Sequence, residues 1–180
     1  GSEMCIRDSD YKVKKSNFII KNNFTKKSVK RDIRYILSKI WFMKEIILDT
    51  ETTGLSVKDV HLIVEIGFIE LDNLVPTKNI FHCYLNPERK VSEKAFEVHG
   101  YSDQFLSDKK KFFEIADEFL NFIKDKKIII HNAEFDISHL NNELSIAGKP
   151  EINKENTVDT LDLARNKFPG SGISLDALCK

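Results

Sequence analysis

From residue 44 onward, apolar and polar positions fall into blocks with two different periods. Residues 45–50, with the run Ile46-Ile47-Leu48, read as a buried central strand. Residues 62–71 form a second strand, a run of Ile, Val and Phe with Glu65 and Gly67 inside it. Residues 79–85 are a third, and the links between the three are short enough for antiparallel neighbours. At Phe112–Ile123 the period becomes helical, with Ile115, Phe119, Leu120 and Ile123 on one face. Residues 127–131 are a short apolar strand. Residues 134–147 are a helix with Ile137, Leu140 and Leu144 inward, stopped by Gly148-x-Pro150. A brief strand at 156–159 and a helix at 160–168 complete the series. Three strands, then helix–strand–helix–strand–helix, predict an α/β domain with a mixed five-stranded sheet flanked by helices.

The first strand ends in Asp49-Thr50-Glu51-Thr52-Thr53-Gly54. Side chains alternate along a strand, so Asp49 and Glu51 share a face. Adjacent carboxylates repel unless a cation lies between them, and hard divalent ions favour such oxygen ligands. Without further support the pair reads first as solvated acids at a strand end. Asp136, in His131-Asn132-Ala133-Glu134-Phe135-Asp136, falls in the first turn of a helix, where the helix dipole alone would justify an acid. The strand before it is expected beside the Asp49 strand, with both C-terminal ends at one sheet edge, so that the three carboxylates converge. A metal-dependent phosphoryl-transfer site is the expected chemistry.

Charge changes the picture at the N-terminus. Residues 1–42 hold 11 Lys and Arg against 4 Asp and Glu, and the remainder holds 17 against 24. Such a basic segment could be a nucleic-acid-binding arm. Its start, Gly-Ser-Glu-Met-Cys-Ile-Arg-Asp-Ser, instead resembles a translated sequencing adapter, and residues 10–42 are rich in Lys, Asn, Ile, Phe and Ser. Residues 1–42 are therefore expected to be a non-native or disordered basic extension, with Met43 as the natural start. Ile33, Ile36, Leu37 and Ile40 nevertheless fall at helical spacing. Residues 43–180 are long enough for one domain. Cys5, Cys83 and Cys179 lack metal-ligand spacing and suit a reducing cytosol. No apolar stretch approaches the ~18 residues of a membrane span, so a cytoplasmic protein without membrane contact is expected.

Several motifs together resemble one family. They are Asp-Thr-Glu-Thr-Thr-Gly-Leu at 49–55, Val-Glu-Ile-Gly at 64–67, Val-His-Gly at 98–100 and His-Asn-Ala-x-Phe-Asp at 131–136. These resemble the DEDD-type 3′–5′ exonucleases. Phe81–Pro87, Ala116–Leu120, Asp159–Arg165, Phe168-Pro169-Gly170 and Ser174–Cys179 are similar to the proofreading subunits of bacterial replicative DNA polymerases. The resemblance implies a ribonuclease-H-like fold and a hydrolase that removes nucleoside monophosphates from a single-stranded DNA 3′ end. It also implies two divalent cations, Mg²⁺ or Mn²⁺. By the same resemblance Asp49 bridges both ions, Glu51 binds the water-activating ion and Asp136 supports the second. Asp49, Glu51, Thr52 and His99 would contact substrate. A polymerase catalytic subunit and a small accessory subunit are the implied partners. No family role is carried onto Lys94. His61, His82, His131 and His139 read as structural or solvated.

The family's His-x-x-x-x-Asp motif, which supplies a general base and a fourth carboxylate, would lie beyond Lys180. The fold is therefore expected to be incomplete at its C-terminus and the chain weakly active or inactive. The alternatives are an RNA 3′–5′ exonuclease of the same superfamily and a catalytically impaired nucleic-acid-binding fragment.

Overall fold

The computed structural model describes Val29, Arg31, Ile33 and residues 44–179. The chain divides into two units, Gly1–Met43 and Lys44–Lys180. In the first, Val29, Arg31 and Ile33 are helical. The other expectations for residues 1–42 lie outside the described residues.

The second unit is built on a five-stranded sheet of order β3-β2-β1-β4-β5. Its strands are β1 (Glu45–Thr52), β2 (Ile63–Asp72), β3 (Val75–Tyr84), β4 (Lys127–Ile130) and β5 (Thr157–Asp159). β1 and β2 are antiparallel, as are β2 and β3, whereas β4 runs parallel to both β1 and β5. The expected α/β class, mixed sheet and β1–β4 adjacency are all present. The helices are α1 (Glu93–His99), α2 (Asp103–Leu106), α3 (Phe112–Ile123), α4 (Ala133–Ile146), α5 (Thr160–Lys167) and α6 (Leu175–Leu178). No described helix is long and apolar enough to cross a membrane.

Period-two alternation sets the two faces of the sheet. Ile46, Leu48, Thr50 and Thr52 of β1 are buried, while Ile47 and Asp49 are exposed. The buried face packs on Phe112, Ile115, Ala116 and Phe119 of α3 and on Ile137, Leu140 and Leu144 of α4. Those are the apolar stripes that the helical spacing predicted, Leu120 and Ile123 lying at the margin. Phe68 stands at the centre, with the rings of Phe81, Phe119 and Phe122 5.2, 5.3 and 5.5 Å away. Glu70 is also on the buried face, held by Lys44 at 2.8 Å and Lys126 at 3.0 Å. On the opposite face Ile47, Ile69 and Ile80 lie in register across three strands and remain 45, 39 and 60% exposed.

The structure departs from the sequence reading at β3, which begins at Val75 rather than residue 79. Asn73 and Leu74 both have positive φ, so a tight reversal joins β2 to β3. Pro76 would argue against a central strand, but β3 is an edge, where proline is tolerated. Helices α1, α2 and α6 have no counterpart among the expected elements. They have seven, four and four residues, too short for a periodic signal, and each starts at a serine whose hydroxyl accepts a backbone N–H.

Candidate active site

Asp49 and Glu51 emerge side by side from the end of β1 on the face away from α3 and α4. Across the β1–β2 pair, Asp49 faces Gly67 and Glu51 faces Glu65. A Cβ on Gly67 would have no neighbour closer than 4.0 Å, so the space beside Asp49 is open. Glu65 puts a third carboxylate on this face. Burial pushes both Asp49 and Glu51 above the ordinary carboxylate range, Glu65 adding to each, while the Thr50 backbone and His131 oppose the rise at Asp49.

Asp136 lies in the first turn of α4 and is 2% exposed. Beyond the last β1–β4 pair, Ile47 with Ile129, the β1 backbone has no strand partner on that side. Asp136 takes the strand's place. Its Oδ1 accepts the Thr50 backbone N–H at 3.1 Å and the Thr50 hydroxyl at 2.6 Å. Burial pushes its carboxyl up to about 6, Asp49 adding to the rise and Thr50 opposing it.

Asp49 interacts electrostatically with both Glu51 and Asp136. Among the described residues, however, no three His, Cys, Asp or Glu side chains are gathered into a metal cage. Asp136 Oδ1 is engaged with Thr50, whose side chain belongs to the opposite face of β1 from Asp49 and Glu51. The donor chemistry nonetheless suits a hard divalent cation: oxygen ligands only, with neighbouring negative charges that raise one another.

Two contacts set where Asp136 can stand. Asn132, at φ 70°, turns the chain from β4 into α4. Asp159 at the end of β5 fixes that turn: Oδ1 accepts from Asn132 N at 3.0 Å and Oδ2 from Ala133 N at 3.0 Å. Asp159 Oδ1 also caps α5 through Leu161 N at 2.8 Å. His131, level with Asp49 if the β1–β4 register is continued, bonds the Thr160 hydroxyl through Nδ1 at 3.0 Å. The Thr160 hydroxyl in turn donates to the Ile130 carbonyl at 3.2 Å, so the His131 nitrogen is the donor toward it.

Beside Glu51 opens a cleft of about 560 Å³, lined by Thr52, Gly54, Leu55, His61, Lys94, Val98, His99 and Phe135 among others. The Thr52–Gly54 rim is rigidly tied: the Thr52 hydroxyl donates to Gly54 O at 2.7 Å and Thr53 N to Leu62 O at 2.8 Å. Gly54 is required because a Cβ there would overlap the His61 imidazole. His61 in turn bonds the Thr53 hydroxyl through Nδ1 at 2.9 Å. Leu55 and Val98 are 80 and 79% exposed, an apolar mouth for the cleft.

The sequence reading therefore identified Asp49, Glu51, Asp136, Thr52 and His99, and the structure places Glu51, Thr52 and His99 in the cleft wall. It missed Glu65, His61 and Asp159 as parts of the site. A carboxylate and a glycine two apart inside an otherwise apolar strand were the available signal for Glu65. His139 is buried on α4, with Nδ1 bonding Phe135 O at 2.9 Å, in keeping with a structural role.

The exonuclease family profile matches residues 46–180. A Rickettsia typhi protein named DNA polymerase III subunit epsilon is 55% identical over 141 residues, covering 77% of this chain and 62% of that protein. The Escherichia coli K12 protein of that name is 47% identical over 144 residues, covering 76% of this chain and 59% of that one. The chain thus spans about three fifths of the length of these relatives. Among solved structures, exonuclease X in complex with 5′ overhanging duplex DNA superposes with a TM-score of 0.56 at 27% identity, covering 74% of this chain and 69% of that one. An exonuclease I structure reaches a TM-score of 0.65 at 15% identity over 75% of this chain and 34% of the other, a likeness of fold alone.

Proposed function

From the premise that this chain belongs to the exonuclease family, we propose that it is the catalytic part of a 3′–5′ DNA exonuclease that proofreads for a replicative polymerase. The observation that carries the reading is the Asp49–Glu51 pair on one face of β1, with Glu51 opening into the 560 Å³ cleft. A cavity of that size lies within the ~300–1,000 Å³ range of small-molecule sites and suits one nucleotide. The epsilon names of the relatives favour DNA as substrate.

The exonuclease family of this fold is divalent-metal dependent. In this reading Asp49, Glu51 and Asp136 hold two cations, Mg²⁺ or Mn²⁺. Bound there, such ions supply an activated water and neutralise charge on the departing oxygen. The protein's own groups do the rest. The Thr52–Gly54 backbone and His99 receive the terminal nucleotide, and Leu55, Val98 and Phe135 provide apolar surface for its base. The alternation of β1 keeps Asp49 and Glu51 together, while Asp159 holds the turn that delivers Asp136. The partners in this reading are a polymerase catalytic subunit and a small accessory subunit, and the compartment is the cytoplasm.

The test is a time course on 3′-labelled single-stranded DNA and matched RNA with Mn²⁺, together with calorimetry of thymidine monophosphate binding. The expected result is metal-dependent monophosphate binding and release of label from DNA 3′ ends, both lost in Asp49→Ala. Degradation of RNA alone would transfer the assignment to an RNA exonuclease. Failure of the chain to bind either metal or monophosphate would overturn it.

A further inference from the structure

His99 ends α1, and Gly100, at φ 76°, turns the chain so that Tyr101 comes back against it. The Tyr101 backbone N–H donates to His99 Nδ1 at 3.0 Å. A backbone N–H can only donate, so Nδ1 is the acceptor and the neutral ring carries its proton on Nε2. That Nε2 is buried and has no hydrogen-bond partner among the described residues. The Thr52 backbone acts on the ring as a weak hydrogen-bond acceptor and favours its protonated form, against the larger effect of burial, but does not reach hydrogen-bond geometry with Nε2. His99 is thus a donor set in the cleft wall with nothing fully accepting from it.

Its orientation is held from one side. The Tyr101 ring stacks on the imidazole, with centroids 4.8 Å apart and planes inclined by 21°. The Tyr101 hydroxyl donates to Glu65 Oε2 at 2.7 Å, and the other Glu65 oxygen meets His82 Nε2 at 2.6 Å. Burial and this bond push the Tyr101 phenol well above its usual range, so it remains a donor. Glu65 stands directly across the strands from Glu51. A continuous series of contacts therefore joins the carboxylate face of the sheet to His99.

We infer that Tyr101, tethered by Glu65, is a positioning residue that fixes the tautomer and orientation of His99 and so aims its Nε2–H at an acceptor oxygen of the 3′-terminal nucleotide. The inference rests on the proposed exonuclease reading for the identity of the ligand. Tyr101 also touches Tyr84 and Phe105, with ring centroids 5.0 and 5.7 Å away, so a packing role alone must be distinguished from positioning. Tyr101→Phe serves that purpose, since it keeps the rings and the backbone donor and removes only the hydroxyl, with its bond to Glu65 and its interaction with Tyr84.

The experiment measures thymidine monophosphate binding in Mg²⁺ by calorimetry for the full chain, Tyr101→Phe, His99→Ala and the double variant. Loss of one oriented hydrogen bond predicts about five- to tenfold weaker binding for Tyr101→Phe. The same substitution should have no further effect once His99 is alanine, because coupled residues are not additive. Wild-type affinity in Tyr101→Phe, or an undiminished loss in the His99→Ala background, would overturn the inference. ¹⁵N imidazole spectra decide it independently of any ligand. His99 should show an acceptor Nδ1 and a slowly exchanging Nε2–H that becomes mobile in Tyr101→Phe; an unchanged signal would overturn the positioning role. Should the wild-type chain bind no monophosphate, the exonuclease reading falls, while these spectra still decide what Tyr101 does to His99.

Discussion

Asp136 is held in its negative form at a disadvantage to the fold. It is nearly inaccessible, and its carboxyl is pushed up to about 6 by burial, with Asp49 adding to the rise. The ordinary value is 3.8, so at pH 7.5 the metal-free fold carries an ionised group that it would prefer protonated. Asp136→Asn removes the charge and keeps an oxygen to accept from Thr50. It should stabilise the metal-free protein by about 1–3 kcal/mol at pH 7.5, measured by urea unfolding with chelator present. The same variant should lose most of the rise in melting temperature that Mn²⁺ gives the wild type. At the same scale, Gly54 has no room for a side chain because the His61 ring fills it. Gly54→Ala should destabilise by about 1–3 kcal/mol through overpacking, and adding His61→Ala should recover much of the loss. Additive losses in the double variant would show that the clash is not the cause.

At the scale of elements, the site depends on how β4 stops. β1 runs on past its last β4 partner, and α4 begins where β4 would have continued. Asp159 makes that exchange possible by accepting from the N–H groups of Asn132, Ala133 and Leu161. It thereby links β5, α4 and α5 through one carboxylate. Asp159→Ala should cost about 1–3 kcal/mol, because helix-start donors are left unsatisfied. Hydrogen exchange should accelerate at Asn132 and Ala133 before it does in β1. Equal acceleration throughout the sheet would mean that Asp159 supports the whole domain rather than this turn.

At the scale of the whole molecule, three buried acids shape stability against pH, Glu70 in one direction and Asp136 and Glu143 in the other. Lys44, followed by Lys126 and Asn79, holds Glu70 down at about 2. Its contribution is present above its ordinary 4.5 and is lost as pH falls through about 2. Burial pushes Glu143 up to about 7, against a hydrogen bond from Ile63 N at 3.1 Å. Its contribution is full below 4.5 and is lost as pH rises through about 7. Unfolding free energy should therefore decline from pH 4.5 to pH 7 by up to about 3 kcal/mol from Glu143 alone. Glu143→Gln, which keeps the acceptor for Ile63, should remove the Glu143 share of that limb, most visibly between pH 6 and 7 where Asp136 no longer contributes, and leave the acid limb intact. An unaltered slope in denaturation series across this range would show that Glu143 is not its source.

The order and type of the long elements were legible in the sequence because they rest on local periodicity. Alternation along β1 is enough to put Asp49 and Glu51 on one face. The helical stripes at Phe112–Ile123 and around Ile137 determined which sides of α3 and α4 face the sheet. The motif after β4 similarly located Asp136 in a first helical turn. What the sequence left undetermined depends on partners far apart in the chain. Glu65 became part of the site only when register set it opposite Glu51, and Tyr101 only when it reached Glu65 across 36 residues. Thr50 captures Asp136 over a separation of 86 residues, a partner that no local spacing indicates. A side chain's direction from its own strand or helix is a local property. Which oxygen it finally meets is decided by pairing, packing and the requirement that buried polar groups be satisfied.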